Sequence, residues 1–373
     1  MIPALILLLI LLIGLIGVYY RFFLGRLFRA FSLPEEAKGV RIARCVLTVV
    51  LTGCSLMIFS TFGLMMLHFT AFSALTDLLV YLFRRIRPRP APKRPSRILA
   101  CGLAPLVLVA GVLSYGWWNM YHIVETTYQI PTDKTLSQPY RAVLIADLHY
   151  GNGITGEALA EQCDRISARE PDFVLLGGDI VDENTTLEGM QEACALLGSI
   201  RSRYGIYYVC GNHDRNAYRN DPAYTIRELY ETLTAHGITV LEDETVVLNG
   251  DMTLMGRADP GFSAQYGRAS VQELLDKAHA DPDTFWLVAD HQPMELAKSA
   301  ALGVDLTVSG HTHGGQVFPI GLCDRLVHFN EMNYGCRERD GMYTVVTSGI
   351  CGWGFPIRTE ARSEYVWLEI GGA

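Results

Sequence analysis

The sequence predicts a chain in two parts: an all-α membrane region of about four transmembrane helices, then an α/β domain. For the second part a two-sheet β-sandwich flanked by helices fits the pattern. Three observations carry this. First, the charge is unevenly spread: residues 1–125 hold 13 Lys and Arg against 4 Asp and Glu, and the rest of the 373 residues hold 18 against 35. Second, the early part carries uncharged apolar runs of bilayer-spanning length. Third, from Tyr140 onward short β-branched runs alternate with helical patterns, and several of those runs end in Asp, Asn or His. We therefore divide the chain into a membrane region (1–125), an extended connector (126–139) and a folded domain (140–373).

In the membrane region, residues 1–20 hold no charge, and basic residues follow the run instead of preceding it. That order suits a retained anchor better than a cleaved signal peptide. Between Arg44 and Arg84 the only charged residue is Asp77. As one helix this stretch would extend about 58 Å at ~1.5 Å per residue, nearly twice a hydrocarbon core of about 30 Å. Two spans are expected instead, hinged at residues 60–63, with Asp77 within reach of Arg84 or Arg85. The full set of expected spans is 1–20, 45–62, 64–83 and 98–120. Trp117, Trp118 and Tyr121 end the last one as an interfacial aromatic belt.

Topology follows from parity. The loop holding Arg21, Arg26, Arg29, Lys38, Arg41 and Arg44 and the loop holding Arg84, Arg85, Arg87, Arg89, Lys93, Arg94 and Arg97 should both be cytoplasmic. An even number of spans must then separate them, which places the N-terminus and the folded domain outside the cytoplasm. Pro88, Pro90, Pro92 and Pro95 make the second loop stiff and extended.

In the folded domain, helical patterns fall near 155–169, 186–200, 222–236, 269–280 and 294–301. Short strands are expected within 238–256, with a turn at Asn249-Gly250, and again at 342–347 and 364–370. The acidic balance argues against a nucleic-acid partner, because a phosphate backbone demands clustered cations. Nine cysteines include no Cys-x-x-Cys pair, so most read as small buried hydrophobes, with disulfides open to an extracytoplasmic domain. No Walker or dinucleotide glycine motif is visible.

The chemistry gathers at five strand ends. Gly310-His311-Thr312-His313-Gly314-Gly315-Gln316 follows the apolar run 305–309, and its two imidazoles can turn to one point. Asp147-Leu148-His149 follows 142–146, and Gly177-Gly178-Asp179-Ile180-Val181-Asp182 follows 173–176. Gly211-Asn212-His213-Asp214 follows 206–210, and Asp290-His291-Gln292-Pro293 follows 285–289. Ligands collect at the carboxyl ends of strands in α/β architectures. Mixed oxygen and imidazole donors without cysteine suit manganese, iron or zinc more than calcium.

In this order the five motifs resemble the calcineurin-like metallophosphoesterases. The GHTHGGQ ending, with residues 346–350 and 356–358, is similar to a membrane-associated bacterial branch that includes UDP-2,3-diacylglucosamine pyrophosphatase-like enzymes. The resemblance covers roughly residues 140–370 and implies the two-sheet sandwich. It also implies a binuclear metal site: Asp147, His149, Asp179 and His313 on one ion, and Asp179, Asn212, His291 and His311 on the other, bridged by Asp179. The implied reaction is attack of a metal-bridging hydroxide on a phosphodiester or phosphoanhydride. His213 would stabilise charge or protonate the leaving oxygen, with Asp214 orienting its ring. Asp182 is expected to support the loop and Gly314, Gly315 and Gln316 to shape it; Arg215, Arg257 and Arg358 could meet substrate phosphate but are expected to be solvated or structural.

Anchoring to a membrane suggests a lipid-linked substrate and contact with membrane lipids. Two alternatives stand beside it. One is a broad phosphodiesterase or monoesterase acting on soluble nucleotides. The other is a membrane sensor or scaffold with a weakly active domain.

Overall fold

A computed structural model describes residues 2–57, 60–87, 97–151 and 153–371, in two compact units of residues 1–115 and 116–373. The proline-rich loop lies outside the described residues.

The first unit is helical: Ile2–Ala30, Lys38–Ser55 and Thr61–Ile86, followed by Leu103–Tyr121, which runs on into the second unit. Among the described residues three segments are long and apolar enough to cross a membrane, Leu9–Ala30, Thr61–Ile86 and Leu103–Tyr121. The helix Lys38–Ser55, at the place of the second expected span, carries Lys38, Arg41 and Arg44 in its first half. It runs antiparallel to the first helix: a Cβ on Gly17 would meet Thr52 at 3.6 Å, and Arg44 Nη2 donates to the Arg21 carbonyl at 2.6 Å. The helix Thr61–Ile86 turns back again, because Tyr20 Oη bonds Thr70 Oγ1 at 2.6 Å and the Arg26 guanidinium pairs with Asp77. That pairing corrects the expected partners of Asp77, Arg84 and Arg85. A cation two helices away reaches the carboxylate, and Tyr19 Oη also donates to it at 2.9 Å.

The second unit holds twelve strands in two six-stranded sheets. The first sheet has the order β1-β12-β2-β3-β4-β5, with β1 Val124–Ile130, β2 Tyr140–Ile145, β3 Phe173–Leu176, β4 Ile206–Tyr208, β5 Ile238–Val240 and β12 Glu364–Ile370. The second has the order β10-β11-β9-β8-β7-β6, with β6 Glu244–Leu248, β7 Met252–Gly256, β8 Phe285–Ala289, β9 Leu306–Ser309, β10 Gly335–Arg339 and β11 Met342–Val346. Strands β2 through β5 are parallel to one another, and so are β7, β8, β9 and β11. All of them therefore deliver their C-terminal loops to the same edge of their sheet.

Side-chain alternation explains the layering. Ala142 and Leu144 face the second sheet and meet Leu287, Leu306 and Val308 in the middle core. Val143 and Ile145, one residue out of phase, face the helices and pack with Leu159, Ile166 and Met190. The helices Gly156–Ala168, Leu187–Gly198, Ile226–Ala235 and Val271–Ala278 start at Thr155, Thr186, Thr225 and Ser270, whose hydroxyls cap them. Part of the expected connector is itself structured. Residues 124–130 pair in parallel with β12 as an edge strand, a partnership set by the far end of the chain.

Candidate metal centre

Each sequence-predicted ligand leaves the C-terminal end of a parallel strand. Asp147 and His149 follow β2, Asp179 follows β3, Asn212 and His213 follow β4, His291 follows β8, and His311 and His313 follow β9. The structure brings them together as two triads. Ligand atoms of Asp147, His149 and His313 all lie within 4.8 Å of one another, and so do those of Asp179, His291 and His311. Asn212 joins the second group, with its Oδ1 at 2.9 Å from His311 Nδ1. Asp179 lies between the groups, with Oδ2 at 3.1 Å from His291 Nε2 and at 3.9 Å from His149 Nε2.

The backbone is strained where the ligands sit. Five of the seven, Asp147, His149, Asp179, His311 and His313, have positive φ, between 42° and 72°. Non-glycine residues seldom take this conformation, and where they do it concentrates at functional sites. Glycines make the crowding possible. A Cβ on Gly211 would sit 2.1 Å from Asp179 Oδ1, and one on Gly178 would sit 2.6 Å from His291 Nδ1.

The donor atoms fit divalent ions. His149 Nε2, His291 Nε2 and His313 Nδ1 are buried and make no hydrogen bond. A buried imidazole nitrogen without a partner is costly in a packed interior, and a metal ion would satisfy it. His291 Nδ1 bonds the Gly177 carbonyl at 2.8 Å, which leaves Nε2 as the bare nitrogen aimed at Asp179. His149 Nδ1 faces Asp182 Oδ2 at 3.4 Å, so Asp182 supports a ligand. Burial pulls the His311 pKa down to about 4, helped by the charge of His291, and pushes that of Asp147 up to about 6. His311 is therefore neutral at ordinary pH, as a metal ligand must be. At His291 burial disfavours the charged ring too, but the neighbouring Asp179 carboxylate outweighs it and holds the pKa well above its usual value.

His213 belongs to neither triad, although its ring lies 5.2 Å from that of His149, and the carboxylate beside it differs from expectation. Asp214 does not orient its ring. Its two oxygens accept the backbone N–H groups of Asp179, Ile180, Val181 and Gly211 at 2.7–3.1 Å, tying the β3 loop to the β4 loop. The partner of His213 Nδ1 is Glu183, at 2.7 Å. Burial disfavours the charged ring, but the Glu183 hydrogen bond and the charges of Asp179, Glu183 and Asp182 outweigh it and hold the His213 pKa above its usual value. Glu183 was missed because only the fold shows that it faces His213; its one sequence signal is its place directly after Asp182. Tyr218 and Trp353 flank the same ring, with centroids 5.3 and 5.2 Å away.

The remaining predicted residues are structural. Arg358 is fully buried and donates to the carbonyls of Ser348, Cys351 and Arg362. Arg257 pairs with Asp290 and Glu295, and Arg215 pairs with Glu242. Gln316 Nε2 donates to the carbonyls of Trp353, Phe355 and Ile357, so the metal loop fixes the loop that carries Trp353.

The family model for calcineurin-like phosphoesterases matches residues 140–315. An uncharacterized metallophosphoesterase of Helicobacter pylori is 30% identical over 69% of this chain and 68% of its own length. A transmembrane protein with a metallophosphoesterase domain from Bos taurus is 28% identical over 74% of this chain and 64% of its own. Among solved structures, a dimetal phosphatase from Danio rerio aligns over 57% of this chain and 88% of its own, at 13% identity and a TM-score of 0.39.

Proposed function

The chain belongs to the calcineurin-like metallophosphoesterases, phosphoester hydrolases, and on that premise we propose that it cleaves a phosphodiester or phosphoanhydride at a binuclear site. The single observation that supports this best is Asp179 set between two triads in which His149 Nε2, His291 Nε2 and His313 Nδ1 are buried without a hydrogen bond. Two divalent ions held there would lower the pKa of a water and neutralise charge developing at phosphorus. We assign Asp147, His149, Asp179 and His313 to one ion and Asp179, Asn212, His291 and His311 to the other. Manganese, iron or zinc suits this donor set.

The chain's own residues do the rest. Asp179 accepts the His213 backbone N–H at 2.8 Å, which fixes the catalytic imidazole relative to the bridging carboxylate. His213, whose protonated form Glu183 favours, is placed to give a proton to the leaving oxygen. Asp214 holds the two ligand loops together and so acts by positioning.

A lipid-linked substrate is the finer part of the proposal. Its support is the attachment of the hydrolase to apolar helices of bilayer-spanning length. The motif-level likeness to UDP-2,3-diacylglucosamine pyrophosphatases adds a phosphoanhydride to the candidates. The finer proposal also puts the hydrolase outside the cytoplasm. The antiparallel pair Lys38–Ser55 and Thr61–Ile86 supports this, because it brings both basic loops to one end. Labelling of Gln272→Cys by an impermeant maleimide in intact cells, above the unsubstituted chain, would agree. Labelling only after lysis would overturn it.

The test of the activity uses the full chain in detergent, stripped of metal and reloaded with manganese, iron or zinc. Turnover of an aryl phosphodiester, the matching monoester and a lipid pyrophosphate is compared for the wild type, Asp179→Asn and His213→Ala. We expect metal-dependent turnover that Asp179→Asn abolishes and His213→Ala lowers by about 10²–10⁴-fold. Failure to bind metal would sink the proposal. Full turnover of soluble esters with none on lipid phosphates would sink its lipid part.

A further inference from the structure

The helix Ile320–Val327, which starts five residues after Gly315, is built inside out. Its small and acidic residues, Gly321 and Asp324, are buried, while Ile320, Leu322, Leu326 and Val327 are exposed. Phe318 before it and Phe329 after it are exposed too, Phe329 by 82% and Leu326 and Val327 by 71% each. The inversion is secured by bonds. Asp324 Oδ1 accepts from the backbone N–H and side-chain amide of Asn330, both at 3.0 Å, and the Gly321 N–H donates to Glu360 at 2.8 Å. A helix in water would show its acid and bury its leucines. A contiguous apolar surface of this kind marks an interaction site.

The same unit also shows what covers it. Residues 116–121, the last six of the apolar helix Leu103–Tyr121, pack as part of the catalytic unit. They end in the exposed aromatics Trp117, Trp118 and Tyr121, the residue types that settle at the lipid–water boundary. Residues 358–363 tie this helix end to the inverted segment. The Gly116 carbonyl accepts the Arg358 N–H at 2.9 Å, and Asn119 Nδ2 donates to the Arg358 and Ala361 carbonyls at 2.9 and 2.8 Å. From the other side, the Phe318 N–H donates to Thr359 Oγ1 at 3.0 Å, and the Gln316 carbonyl accepts the N–H groups of Thr359 and Glu360.

From this we propose that residues 318–329 form a membrane-docking segment, whose apolar side chains lie in the interface of the bilayer that Leu103–Tyr121 crosses. Short inward-acid, outward-apolar helices are suited to lie in the plane of a lipid surface. Arg325 is exposed and reaches Glu360 at 3.4 Å, which offsets that carboxylate at the surface, while Asp324 is turned inward. Gln316 and Phe318 stand two residues apart, so the metal loop is anchored at the lipid surface whatever the substrate is. The proposal does not rest on a lipid-linked substrate.

The test uses the full chain in nanodiscs of phosphatidylethanolamine and phosphatidylglycerol. Nitroxide labels are placed singly at Leu326→Cys, Phe329→Cys and the exposed reference Gln272→Cys, with Cys45, Cys54, Cys101, Cys323 and Cys336 replaced by Ser. We expect the labels at 326 and 329 to relax severalfold more with oxygen than with a water-soluble nickel chelate, and the label at 272 to show the reverse. Labels at 326 and 329 that behave like 272 would overturn the proposal. So would shielding from both relaxants with dipolar broadening between labels, which would mean that a second copy covers the face. The unsubstituted chain provides a second measurement, free of any folding defect. A photoactivatable phosphatidylcholine should leave its adduct on the peptide holding 318–329. Adducts confined to Thr61–Ile86 and Leu103–Tyr121 would again overturn it.

Discussion

The proposed metal ligands and His213 share one site but are held in different ways. The ligands are clamped by main chain. Five carry positive φ, Gly211 and Gly178 leave no room for a Cβ, and Asp214 ties two ligand loops through four backbone N–H groups. His213 is held at its ring by the Glu183 hydrogen bond, with Tyr218 and Trp353 beside it. Its side chain is still 15% exposed. The contrast follows from what each part must do. Two dications about 3.5–4 Å apart tolerate little drift of their ligands. In the proposed role, a proton donor must instead follow a leaving oxygen whose position varies with substrate, and a ring held by one hydrogen bond keeps that freedom.

The largest expected effect falls on the clamp. Asp214→Ala removes a buried acceptor and leaves four backbone donors without a partner. Each buried unsatisfied group costs about 1–3 kcal/mol, so we expect at least about 3 kcal/mol of lost stability, read as a lower melting temperature of the full chain in detergent. Wild-type melting with slow turnover would mean that Asp214 acts on the chemistry and that the division between clamp and donor is wrong. Asp182→Asn should do less. It weakens the support of His149 and should lower metal affinity about 10–100-fold, measured by competition with a chelator. Unchanged affinity would leave Asp182 a loop residue only.

These tests also mark what could be read from the chain alone. The ligands were legible because each lies within a few residues of a hydrophobic run, and a strand end fixes where such a residue goes. The sheets were legible where alternation or β-branched runs set them, as at 142–146 and 364–370. Three features were hidden for the same physical reason, that their partners are distant in sequence. Strand β1 needs β12, some 240 residues on, and pairs with it from Val124↔Glu364. Glu183 reaches His213 only when the β3 and β4 loops meet. Asp214 lies next to His213 in sequence, and that adjacency suggested a ring contact, although the carboxylate points back into the loops. The inverted helix Ile320–Val327 is hidden differently. Its pattern is amphipathic, and the sequence does not say which face meets protein.

Glu183→Gln should have the smallest effect and separates the two modes of holding most sharply. The amide keeps the shape and can still bond Nδ1, so neither the clamp nor the triads should change, and metal affinity and melting temperature should stay at wild-type values. What is lost is the negative charge that helps keep His213 protonated against the cost of burial. A less protonated donor helps a poor leaving group more slowly and hardly alters a good one. We therefore expect kcat to fall about tenfold for an alkyl phosphodiester, less than the ~10²–10⁴-fold of a lost general acid because His213 itself remains, with little change for a nitrophenyl ester. KM should hold for both. An equal loss on both esters would mean that His213 stabilises charge at phosphorus without transferring a proton. A loss confined to KM would make Glu183 part of substrate binding, and His213 would then be held as firmly as the ligands it stands beside.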